Sequence, residues 1–85
     1  MSLKVVWTTR FKKDYKLAMK RGLDISKLDE AIRLLARDGA LPGQYLDHSL
    51  GGDWKGFREC HIEPDWLLIY AIENRVLVLT LARTG

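Results

Sequence analysis

Between Trp66 and Ala82 the chain runs through two apolar segments, Trp66 to Ile72 and Val76 to Leu81, parted only by Glu73-Asn74-Arg75. Each is far too short to span a bilayer. Each has strand length and no helical spacing, so together they predict a hairpin of two strands, Trp66 to Ile72 and Arg75 to Ala82, turning at Glu73-Asn74. The near-continuous apolarity of Trp66 to Ile72 predicts burial on both faces at the sheet centre. In 85 residues such a hairpin leaves room for one domain, 1–85, with one compact core.

The rest must cover that hairpin. Leu3 to Trp7 is a short apolar, partly β-branched run and reads as an opening strand. Thr8 or Thr9 can cap a helix in which Phe11, Tyr15, Ala18 and Met19 share one side and Lys12, Lys13, Lys16 and Lys20 fall mainly on the other. Gly22 stops it. Ser26 can cap a second helix, with Asp29 in its first turn, Leu28, Ile32 and Leu35 inward, and Gly39 as terminator. Ala40 to Asp53 reads as an irregular, long connection of the kind that is often functional. Trp54 to Ile62 reads as a strand and Pro64-Asp65 as the turn before Trp66. The expected fold is α+β, β-α-α-β-β-β, a mostly antiparallel sheet with a two-helix hairpin on one face and the other face available.

Composition narrows the function. A hydrophobic fraction of 47% with 29% charged residues excludes disorder. The start, Met1-Ser2-Leu3-Lys4, shows no secretory pattern, and a single cysteine, Cys60, suits a reducing cytoplasm without a disulfide framework. Cys and His are too few for a structural zinc site, and no metal, cofactor or membrane is expected. The net charge of +3 hides an asymmetry: residues 1–23 carry seven basic side chains against one acid, +6, and the remainder seven against ten, −3. A segregated basic surface suits nucleic acid or an acidic protein; it is equally what a solvated lysine-rich helix face presents.

Groups fit for proton transfer and phosphate contact fall between 47 and 65: Asp47, His48, Lys55, Arg58, His61 and Asp65. Cleaving RNA without a metal requires a base for the 2′-OH, a cation over the phosphate and an acid for the leaving 5′-oxygen. His48, His61 and Asp65 suit the proton work, and Arg58 or Lys55 the phosphate. The bland alternatives are a polar loop residue at His48, a packed strand residue at His61, and an Arg58 paired with Glu59 or Glu63. Among the aromatics, Trp66 after the turn is the candidate base stacker, with Trp54 and Tyr70 structural.

The stretch Asp47-His48-Ser49-Leu50-Gly51-Gly52-Asp53-Trp54-Lys55-Gly56-Phe57-Arg58-Glu59-Cys60-His61-Ile62-Glu63-Pro64-Asp65-Trp66-Leu67-Leu68-Ile69-Tyr70 resembles the signature of YafQ-type toxins of the RelE/ParE superfamily. The lysine-rich first helix, Lys27-Leu28, and Arg83-Thr84-Gly85 extend the likeness across most of the chain. The resemblance implies a metal-independent endoribonuclease that enters the ribosomal A site, cuts translated mRNA, and is restrained by a cognate antitoxin. Operator DNA would be met only through the antitoxin complex. It implies catalytic roles for His48, His61 and Asp65, a phosphate contact for Arg58, and an aromatic partner in Trp66. It also implies that the basic first helix, with Lys12, Lys13, Lys16 and Lys20, contacts ribosomal RNA, while Lys55 stands as an RNA contact on its charge alone.

In that family a short tail with a histidine and an aromatic follows the Arg-Thr-Gly. Here the sequence stops at Gly85, so an attenuated enzyme is expected; losing one general acid costs about 10²–10⁴ in rate. A ParE-like toxin that binds DNA gyrase, and a non-catalytic scaffold for antitoxin and operator, are the alternatives; neither needs the histidine–aspartate set.

Overall fold

The computed structural model of the chain describes residues 2–73 and 78–85. Strand β1 (Lys4–Trp7) leads into helix α1 (Thr9–Lys20) and helix α2 (Ile25–Asp38). After a single 3₁₀ turn, Gly43–Tyr45, come β2 (His48–Ser49), β3 (Arg58–Glu63), β4 (Trp66–Glu73) and β5 (Val78–Thr84). The sheet order is β1-β5-β4-β3-β2, with β1 parallel to β5 and every other pair antiparallel. The expected β-α-α-β-β-β order therefore holds, with the two-residue β2 added inside the connection read as irregular. The expected turn at Asn74 and the expected start of the last strand, Arg75 to Leu77, lie outside the described residues.

Local signals explain most boundaries. Thr8 caps α1, its hydroxyl accepting from the Phe11 amide. α2 is capped by Asp24, which accepts from the Ser26 amide, and not by Ser26 itself; the charged oxygen two residues earlier is the better acceptor for free helix N–H groups. Gly39 ends α2 at φ 70°, as glycine permits. β3 begins at Arg58 rather than at Trp54, because Gly52 (φ 59°) and Gly56 (φ 94°) turn the backbone through a 3₁₀ turn, Gly52–Trp54, before pairing resumes.

Phe11, Ala18, Leu28, Ile32 and Leu35 from the helices close on Cys60, Trp66, Leu68, Tyr70 and Leu81 from the sheet. Met19, expected inward, is more than half exposed, since α1 turns only Phe11 and Ala18 fully inward. β4 lies at the centre of the five strands but is not buried on both faces. Trp66, Leu68 and Tyr70 face the helices and are buried, while Leu67 and Ile69 face the other way and are half-buried, because among the described residues no second layer covers that side. That open face carries the chemistry.

Candidate active site

The alternation of β3 sorts the candidate residues. Arg58 and Cys60 stand opposite Tyr70 and Leu68, on the helix side; Glu59 and His61 stand opposite Ile69 and Leu67, on the open face. β2 then sets His48 against Glu59. The two histidines thus meet on one surface, with ring centroids 6.4 Å apart.

Their hydrogen bonds differ. The Nδ1 of His61 lies 3.2 Å from the carbonyl oxygen of Pro64. A carbonyl only accepts, so the network assigns the proton to Nδ1 and leaves Nε2 as the acceptor of the neutral ring. In His48, Nδ1 lies 2.9 Å from the Leu46 carbonyl oxygen and Nε2 lies 3.3 Å from Glu59 Oε1. The Glu59 carboxylate is thus placed to pair with the His48 ring when that ring carries a second proton. The His61–Pro64 contact also holds the turn bearing the exposed Asp65 against His61.

Two expected participants stand elsewhere. Arg58 is not brought to the histidines: three residues from His61 along a strand, it points to the other face. There its Nε donates to Asp47 Oδ1 at 2.5 Å, and the Tyr70 hydroxyl donates to Asp47 Oδ2. Bonding to Asp47 holds the Arg58 guanidinium more firmly protonated, while burial and the same aspartate push the Tyr70 phenol up. Its partner is therefore neither Glu59 nor Glu63. Trp66 does not offer a stacking surface. It is 2% exposed, and its indole N–H donates to Thr84 Oγ1 at 2.9 Å, because register places it in the inward row with Leu68 and Tyr70.

The open face holds residues the sequence reading did not assign. Arg83 faces Ile69, completing a cross-strand row His48–Glu59–Ile69–Arg83. Its Nε and Nη2 donate to Asp14 at 2.9 and 3.1 Å, and the Thr84 amide donates to the same carboxylate. Burial pushes the Asp14 carboxyl up, but Arg83, the Thr84 amide and Arg10 outweigh it and hold it below its ordinary value. The alternation of Arg83 with Thr84 in the last strand was the available signal. Trp54, expected to be structural, is partly exposed at the tip of the β2–β3 connection, with Lys55 exposed beside it. Lys12, Lys13, Lys16 and Lys20 are all exposed on α1, the helix whose Phe11 and Ala18 pack into the core. Among the described residues no group of three or more His, Cys, Asp or Glu side chains is placed to hold a metal ion.

Comparison with known proteins gives the family. A family profile described as the bacterial toxin of type II toxin–antitoxin system, YafQ, matches residues 3–85. The mRNA interferase toxin YafQ of Escherichia coli K12 is 43% identical over 82 residues, which span 95% of this chain and 87% of that protein. The crystal structure of YafQ from Escherichia coli BL21(DE3) superposes with a TM-score of 0.90 at 42% identity, covering 98% of this chain and 91% of that one. The toxin in the Escherichia coli DinJ–YafQ complex superposes at 0.89 with 41% identity, covering 100% and 92%. The chain belongs to the YafQ family of type II toxin–antitoxin toxins.

Proposed function

We propose that this chain is an mRNA interferase, a metal-independent endoribonuclease that cleaves mRNA on the ribosome, with His61 as general base and His48 as general acid. The observation that carries the reading is the pair of histidines meeting on one surface, His61 with Nδ1 on the Pro64 carbonyl and His48 with the Glu59 carboxylate near its Nε2. Nε2 of His61 takes the proton of the 2′-OH, the oxygen attacks the adjacent phosphorus, and the bond from phosphorus to the 5′-oxygen breaks as His48 delivers a proton to that oxygen. The products are a 2′,3′-cyclic phosphate and a 5′-hydroxyl, so no water or cofactor is consumed. Asp65, in the turn held against His61, balances the positive charge that ring gains. Arg83 is the guanidinium on this face and meets the phosphate charge; Arg58 serves instead to fix the connection that carries His48.

The exposed lysines of α1 suit ribosomal RNA in the A site, a polyanion too large to be gripped by the histidine face alone. The named complex of a relative with DinJ supports a cognate antitoxin as partner here, with operator DNA reached only through that complex. A reducing cytoplasm is the matching compartment.

Primer extension on mRNA translated in a cell-free system tests the reading. Cuts are expected with the wild-type chain, and His48→Ala and His61→Ala are each expected to lower the rate by about 10²–10⁴. A version extended past Gly85 by a histidine-containing tail measures how much a further acid adds. Folded protein that cuts nothing in any version sinks the nuclease reading and leaves gyrase inhibition, measured as loss of DNA supercoiling, as the next assay.

A further inference from the structure

Beside the histidines the open face has a hollow that the proton chemistry does not use. A cavity of about 230 Å³ is lined by Leu67 and Ile69 of β4, by Trp54, and by Arg83, Thr84 and Gly85. It is tied to the catalytic row by register: Leu67 is the cross-strand neighbour of His61, and Ile69 that of Glu59. The hollow therefore begins one strand spacing from the histidine pair.

Trp54 is built to stay there. The glycines at 52 and 56, both at positive φ, fold the tip of the β2–β3 connection, and the Leu50 amide donates to the Phe57 carbonyl to close it. Phe57 meets the indole nearly perpendicular, at 87° and 5.3 Å between centroids. The ring is thus fixed in direction, yet 37% of the residue remains exposed. In the same lining, the Asp14 fork holds the Arg83 guanidinium by two nitrogens. An indole, two aliphatic side chains and a planar cation around a slot are what a flat, aromatic, electron-rich ring calls for.

We propose that this hollow is a subsite for one nucleobase of the RNA, the base adjoining the scissile phosphate, with Trp54 as the stacking surface. The inference rests on the nuclease reading above and adds to it which part of the substrate is gripped beside the cut. Stacking on an indole accepts any base, so the subsite contributes affinity and position and leaves sequence choice to other contacts.

The test uses the full chain and a fluorescein-labelled single-stranded RNA of six nucleotides, 2′-O-methylated throughout so that it cannot be cut, followed by anisotropy. Trp54→Ala is expected to weaken binding about 10- to 100-fold at every salt concentration, without changing the salt slope, because stacking releases no counterions. Trp54→Phe keeps an aromatic face and is expected to bind within about threefold of wild type. A probe independent of any variant is the same RNA with an abasic site at each position in turn, bound to the wild-type chain. Loss of one base is expected to cost the same 10- to 100-fold, and to cost nothing further in Trp54→Ala. If no abasic position matters, or Trp54→Ala binds as wild type does, the subsite is overturned while cleavage in the translation assay keeps the nuclease reading standing. If the wild-type chain neither cuts nor binds the RNA, both fall together.

Discussion

Asp47 accepts one hydrogen bond from Arg58 and one from Tyr70, so a single carboxylate joins the connection after α2 to both β3 and β4. It precedes His48, and neighbours in an extended backbone point to opposite faces; anchoring Asp47 under the sheet thereby anchors His48 above it. Asp47→Ala strips an exposed guanidinium and a buried phenol of their shared acceptor. A loss of about 1–3 kcal/mol in urea unfolding is expected, with cleavage reduced as well. Tyr70→Phe removes only one bond and is expected to cost less. Asp14 makes a pH prediction. Its carboxyl lies below the ordinary 3.8, so the stabilisation it supplies is complete above that value and disappears as pH falls through the folded-state value. The stability gap between wild type and Asp14→Asn should therefore be widest near neutrality and close in acid; a gap that does not change with pH would refute the assignment. At this scale the histidines were legible because their spacing sits inside an ordered motif. Arg58 and Trp66 were not, because the side a strand residue faces depends on where pairing starts and on the register shift between His61 and Glu63. Neither is visible in residue types.

The elements carry their own punctuation. Gly39 closes α2 at φ 70°, and a Cβ added there meets nothing within 4 Å, so Gly39→Ala isolates the backbone cost alone. A loss of about 1–2 kcal/mol is expected in urea unfolding, with the RNA probe bound as before. Both helices, the Pro64-Asp65 turn and the apolar strand were legible from periodicity and breakers. The cap of α2 was not, since Asp24 and Ser26 are both competent and their difference is energetic. The late start of β3 was hidden as well: Trp54 to Ile62 reads as a strand from its composition, and the 3₁₀ turn ending at Trp54 and the positive φ of Gly56 interrupt it. β2 is two residues long and exists by pairing with β3, so it has no periodicity of its own.

Over the whole molecule, charge and chemistry sit on different elements: lysines on α1, histidines on β2 and β3. Alanine at Lys12, Lys13, Lys16 and Lys20 should therefore flatten the salt dependence of ribosome association, by about 0.7–0.9 in the log–log slope for each phosphate no longer neutralised. Binding of the short RNA should stay nearly as it is. A fall in short-RNA binding equal to the fall in ribosome association would place the lysines at the cleavage face and contradict the separation. The charge asymmetry was legible in the first 23 residues, and so was the helix that bears it. The parallel pairing of β1 with β5 has a consequence in time. β1 is made before both helices and its partner β5 after every other element of the sheet, and both helices wait for Cys60, Leu68, Tyr70 and Leu81 before their inner faces find a core. Arrested nascent chains that end before β5 should be digested by protease as unfolded polypeptide, and resistance should arrive in one step when β5 clears the exit tunnel. Until β5 has emerged the chain has no closed core, so the activity stays off through the synthesis of everything that precedes that strand.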